Sequence, residues 1–131
     1  MDPICSADLF FFYGSLRHGL LHFVELGLEG RIEPVGEGWC PGRLHDLGPY
    51  PGLVDDPTGR VFGEVSRIRD LDLAARIEDL EIGYDYDRVR RVVAGGPWSA
   101  WVYRYIGPVP EDSLVPGGDW KEHLMTRGVR P

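Results

Sequence analysis

Between Val35 and Leu53 the chain is interrupted again and again by residues that end regular structure: Gly36, Gly38, Pro41, Gly42, Gly48, Pro49, Pro51 and Gly52. Proline removes a backbone donor and glycine adds conformational freedom, so only short strands and tight turns fit such a stretch. The same habit runs through the whole chain, which carries 18 Gly and 11 Pro among 131 residues. It predicts a strand-rich fold with close connections. The length suits one domain, residues 1–131, able to bury a core without a disulfide or metal staple.

Among these breakers, Leu9-Phe10-Phe11-Phe12-Tyr13 reads as a strand buried on both faces. Gly14 and Ser15 then turn the chain, and Leu20–Leu28 has loose helical spacing that ends at Gly27 and Gly30. Short strands are expected near Glu37–Trp39 and Gly42–Leu47, a rigid loop over Gly48–Gly52, and a further strand over Arg60–Ile68. Asp70–Glu81 is the clearest helix, with Asp70 as its cap and Gly83 where a left-handed residue would end it. Strands over Asp87–Ala94 and Trp98–Ile106 follow, joined by a turn too short for a crossover and so antiparallel. A helical turn is expected after Asp119. About six strands and two or three helices define an α+β class. The expected architecture is a small, mostly antiparallel, closed or curled β-barrel with flanking helices.

A formal net charge of -7 argues against a nucleic-acid partner, while leaving room for a small anion held by backbone N–H groups. Cys5 and Cys40 form no metal-type spacing and suit a reducing compartment. No basic leader opens the chain and no apolar run is long enough for a bilayer, so a cytoplasmic location without membrane contact is expected. The oligomeric state is not readable from the sequence.

Glu81 is the most informative side chain. At 100° per residue, Leu73, Ala74, Ile77 and Leu80 form an apolar arc about 120° wide, and Glu81 falls inside it. Glu78, Asp79, Arg76 and Asp72 fall outside. An inward carboxyl is raised in pKa toward the range useful for proton transfer, unless it bends to solvent or pairs with Arg88 or Arg17. Tyr13-Gly14-Ser15-Leu16 closes the buried strand with a Gly-Ser turn, whose backbone N–H groups suit a carboxylate or oxyanion. Ser15 itself has no evident Asp/His partners as a nucleophile. On the late strand, Tyr103 and Tyr105 share a face and either reach over a pocket or pack at a rim. His18 and His22 have helical metal spacing but no evident third ligand, so neither metal nor cofactor is expected.

Taken in order, these pieces resemble the gamma-glutamylcyclotransferase-like family, including its short bacterial members. The resemblance starts at Phe11-Phe12-Tyr13-Gly14-Ser15-Leu16-Arg17 and continues through Tyr50-Pro51-Gly52-Leu53-Val54 and Val61-Phe62-Gly63-Glu64-Val65. It goes on through Asp79-Leu80-Glu81, Tyr86-Asp87-Arg88 and Ala100–Tyr105, and ends at Gly118-Asp119-Trp120. Where many members have Gly after the glutamate, Ile82 precedes Gly83 here. The resemblance implies a barrel with flanking helices and a catalytic glutamate at Glu81. It implies a Tyr13–Leu16 loop that binds the amino-acid end of a gamma-glutamyl group, and a pocket tyrosine at Tyr103. The implied reaction converts a gamma-glutamyl amine or peptide to 5-oxoproline and a free amine. The alternatives are a non-catalytic small-molecule-binding domain of the same fold and an acid/base enzyme acting on another small amide.

Overall fold

The computed structural model describes residues 2–127. Its elements are β1 (Asp8–Phe12), α1 (Leu21–Glu25), β2 (Glu33–Pro41), β3 (Arg43–Asp46), β4 (Pro51–Val54), β5 (Arg60–Ile68), α2 (Leu71–Ile82), β6 (Tyr86–Val93), β7 (Trp98–Tyr105) and α3 (Trp120–Thr126). All seven strands join one mixed sheet in the order β2-β5-β1-β7-β4-β3, with β6 on the other edge of β7. The β6–β7 pair is antiparallel along its whole length, from Tyr86 opposite Tyr105 to Val93 opposite Trp98.

The sheet curls until its ends meet. Trp39 of β2 exchanges two backbone hydrogen bonds with Ala94, just past β6, at 3.1 and 2.8 Å. That pair joins the ends of the run β2-β5-β1-β7-β6 and closes it into a barrel. Gly38 permits the closure, because a Cβ there would run into the Ala94 carbonyl. Phe10, Phe11, Val61, Val65, Val93 and Val102 are among the fully buried side chains of the core. The tail returns along β3, with Val115 N–H donating to Leu44 at 2.8 Å, and delivers Trp120 into the core at 1% exposure.

α2 follows the amphipathic pattern. Asp70 accepts from the N–H groups of Asp72 and Leu73, and Leu73, Ala74 and Ile77 are buried. β1 and β4 both run parallel to β7, paired through Phe10–Trp101 and Leu53–Arg104, while the other strand pairs are antiparallel, so the sheet is mixed and mostly antiparallel. Two expectations need correction. First, Gly48–Gly52 is not all loop, since β4 begins at Pro51; a proline heading a strand leaves the later donors of that strand intact. Second, Gly83 is right-handed with φ -65°, and the left-handed residue is Asp85 at φ 67°. The first helix is shorter than its apolar spacing suggests, because the chain turns through Gly27 at φ 63°. Cys5 and Cys40 are free thiols, exposed and buried respectively. No helix among the described residues is long and apolar enough to cross a membrane.

Candidate active site

The pocket forms where the edge partner of β7 changes. β1 pairs with β7 near Trp101 and β4 pairs with it near Arg104. Tyr13 joins the three strands: its hydroxyl donates to the Tyr103 carbonyl at 2.5 Å and accepts from Leu53 N–H at 3.1 Å. Directly after Tyr13 the chain leaves the sheet. Gly14 lies so close to β4 that an added Cβ would stand 2.8 Å from Pro51 Cγ. Arg17 N–H donates back to the Gly14 carbonyl at 3.0 Å, which makes the bend a tight turn. Among the described residues, no hydrogen bond uses the N–H of Gly14, Ser15 or Leu16. Three consecutive donors are therefore available to a bound anion.

Arg17 anchors the loop from below. It is buried, and it pairs with Glu64 at 3.2 Å and Asp119 at 3.0 Å. Glu64 also accepts His18 N–H at 2.8 Å and meets Lys121 at 3.2 Å.

Glu81 lines the same cavity from the last turn of α2. Its side chain has no hydrogen bond or ion pair among the described residues, although sequence reasoning left Arg88 and Arg17 open as partners. Both are engaged elsewhere. Arg88 binds both oxygens of Glu78 at 3.1 and 3.0 Å, donates to the Asp2 carbonyl at 2.8 Å and lies 4.1 Å over the Trp101 ring. Arg17 holds Glu64 and Asp119. Burial, and secondarily the Glu78 carboxylate, push the Glu81 carboxyl up to about 8. Glu78 lies outside the apolar arc of the helical projection, yet it is half-buried because β6 brings Arg88 to it.

Tyr103 is 2% exposed, and among the described residues its hydroxyl has no hydrogen-bond partner. Burial, then the nearby Glu78 carboxylate, raises its pKa. Tyr105 lies outside the cavity, donating to the Pro108 carbonyl at 3.0 Å. The structure thus gathers Glu81, Tyr13, Gly14, Ser15, Leu16 and Tyr103 around one narrow cavity of about 40 Å³.

Sequence reasoning missed several lining residues: Tyr50, Tyr84, Tyr86 and His22. The Tyr50 and Tyr84 rings meet edge-on at 5.2 Å, and the Tyr86 hydroxyl donates to the Pro51 carbonyl. The alternation of Tyr84 and Tyr86 directly after the helix was the available signal for two of them. His22 had none, since its partner is seven residues away: Ser15 Oγ lies 2.5 Å from its Nδ1. His18 instead meets Glu29 at 2.9 Å, so the two histidines do not converge. Among the described residues, no group of three or more His, Cys, Asp or Glu side chains is gathered as a metal site would need.

The class the fold defines is a small barrel with flanking helices, its Gly-Ser bend and helix-borne acid at one cavity. Residues 10–122 match the family described as gamma-glutamyl cyclotransferase, AIG2-like, and the chain belongs to that family. It is 34% identical over 116 residues to the gamma-glutamylcyclotransferase family protein ytfP of Citrobacter rodentium, covering 84% of this chain and 92% of that one. A Vibrio cholerae protein with a provisional gamma-glutamylcyclotransferase name is 35% identical over 121 residues, covering 88% and 97%. The crystal structure of an AIG2-like protein from Mus musculus superposes with a TM-score of 0.77 over 95% of both chains at 21% identity, a likeness of fold.

Proposed function

We propose that the protein is an enzyme that converts a gamma-glutamyl amine or peptide into 5-oxoproline and a free amine, with Glu81 as its acid/base group. Membership of the gamma-glutamyl cyclotransferase, AIG2-like family supports the reaction class. The observation that carries the reading is the unpaired Glu81 carboxyl, held near pKa 8 in the same cavity as three free N–H groups.

The alpha-amine of the substrate attacks its own gamma-carbonyl. A C–N bond forms, the bond to the leaving nitrogen breaks, and the two protons lost by the attacking ammonium nitrogen pass in turn through Glu81 to the departing nitrogen, which leaves as an ammonium. A carboxyl near 8 is close to neutral pH, where one group passes a proton in both directions most readily. An alpha-ammonium bound beside Glu81 favours the ionised carboxylate, which then takes the proton that blocks attack. The N–H groups of Gly14, Ser15 and Leu16 receive the anionic end of the glutamyl group, and the Tyr103 hydroxyl offers a further donor. Because the attack is intramolecular, folding the glutamyl chain in a narrow pocket supplies much of the rate.

The test is a panel of gamma-glutamyl amines and peptides with 5-oxoproline as the readout. Wild-type protein is expected to form it, and Glu81→Gln to lower kcat by about 10²–10⁴-fold while keeping substrate affinity. Equal turnover in that variant removes Glu81 from the chemistry. Binding without turnover by the wild type leaves a binding domain.

A further inference from the structure

The geometry points to a second activity of this pocket: Ser15 and His22 form a nucleophile–base pair that transfers the acyl group of a short carboxylic ester to water. The inference does not rest on the reaction proposed for Glu81. Ser15 and His22 both line the cavity, with the serine Oγ 2.5 Å from His22 Nδ1. A hydroxyl is a weak nucleophile until an adjacent base takes its proton, and that contact is the arrangement required.

The pair is held from its backbone as well. The N–H groups of His22 and Phe23 both donate to the Ser15 carbonyl, at 3.0 and 3.1 Å, so the serine and the first turn of α1 move together. The other ring nitrogen, Nε2, lies 4.0 Å from Glu25 Oε2, one helical turn on; the neutral tautomer with its lone pair on Nδ1 is the one that can accept the Ser15 proton. The His22 side chain is 22% exposed, so water can reach the pair. Finally, the free N–H groups of Gly14, Ser15 and Leu16 surround the nucleophile with donors for the oxyanion that forms on attack. These are the parts an acyl-transfer site needs: nucleophile, base and oxyanion donors in one concave site. Sequence reasoning set Ser15 aside because it lacks the second Gly of a nucleophile elbow and no Asp/His pair is evidently assigned to it. The fold supplies the histidine.

The step balances without a cofactor. Ser15 Oγ bonds to the ester carbonyl carbon as its proton passes to His22 Nδ1. The tetrahedral intermediate collapses, the carbon–oxygen bond to the alcohol breaks, and His22 returns the proton to the leaving oxygen. Water, deprotonated by His22, then attacks the Ser15 acyl ester and releases the acid and the free hydroxyl. The narrow cavity limits the acyl group to a short one.

p-Nitrophenyl acetate is the probe. Wild-type protein is expected to release p-nitrophenolate and, when quenched early, to carry one acetyl group that peptide mapping places on Ser15. Ser15→Ala loses that acetyl group. Ser15→Cys still becomes acylated at position 15, which separates loss of the nucleophile from loss of the fold. His22→Ala slows acylation by about 10²–10⁴-fold, the usual share of a general base. The idea is overturned if wild-type protein shows no acetyl group on Ser15, if the label sits only on Lys121 or the N-terminal amine, or if His22→Ala acylates at the wild-type rate.

Discussion

Glu81 in the unfolded chain titrates near 4.5 and in the folded protein near 8. Between those values the fold retains a proton that the unfolded chain has released. The sign follows from that difference: the associated stability is complete below about pH 4.5, drains as pH rises and is gone above about pH 8. Glu81→Gln keeps a neutral group of the same shape at every pH. Its urea-unfolding free energy is expected to match wild type near pH 4 and to exceed it by a few kcal/mol at pH 9, at about 1.4 kcal/mol per unit of pKa shift. An unchanged difference across that range would mean the carboxyl is not desolvated. Glu78 sets the same property from next door, since its carboxylate raises the Glu81 pKa and its bond occupies the Arg88 guanidinium. In Glu78→Gln, the Glu81 carboxyl resonance is expected to titrate below the wild-type value by NMR. Stability is expected to fall on the order of 3 kcal/mol as Arg88 loses its buried partner. That Glu81 turns inward was legible from the 3.6-residue repeat of Leu73, Ala74, Ile77 and Leu80. That it stays unpaired was not, because which carboxylate takes Arg88 depends on how β6 lies against α2.

At the scale of elements, local chemistry was readable wherever it was self-contained. Asp70 caps α2 as a residue of its type at that place should, and the Gly95–Pro97 turn forces β6 and β7 to be antiparallel. Readings failed where a neighbour decides. β4 hides behind prolines, and only its pairing with β3 and β7 makes a strand of it. β2 runs from Glu33, well ahead of the stretch its own residues suggest, because β5 offers a full partner across a register shift at Pro34–Gly36. The glycines of β2 that look like breakers are instead points of close approach. Gly38→Ala is expected to force Trp39 and Ala94 apart and to destabilise the protein by about 3 kcal/mol or more, read from the denaturation midpoint. Wild-type stability in that variant would show that the closing pair contributes little.

For the whole molecule, the barrel class followed from the number of short strands, whereas the pocket depends on which strand ends meet. Tyr13, Pro51, Glu81 and Tyr103 lie far apart in the chain, and a single sequence offers no measure of their distances. Tyr13 is where architecture and pocket coincide, since its hydroxyl bonds to the backbone of both β7 and β4. Tyr13→Phe leaves a buried carbonyl and a buried N–H without partners, a loss of about 2 kcal/mol in unfolding free energy. Affinity for any ligand of the Gly14–Leu16 bend is expected to weaken in parallel. The molecule has thus put its keystone and its doorway in the same stone: variation that reshapes what enters must leave this phenol alone, and new specificities have to be written on the rim at Tyr50 and Tyr84 instead.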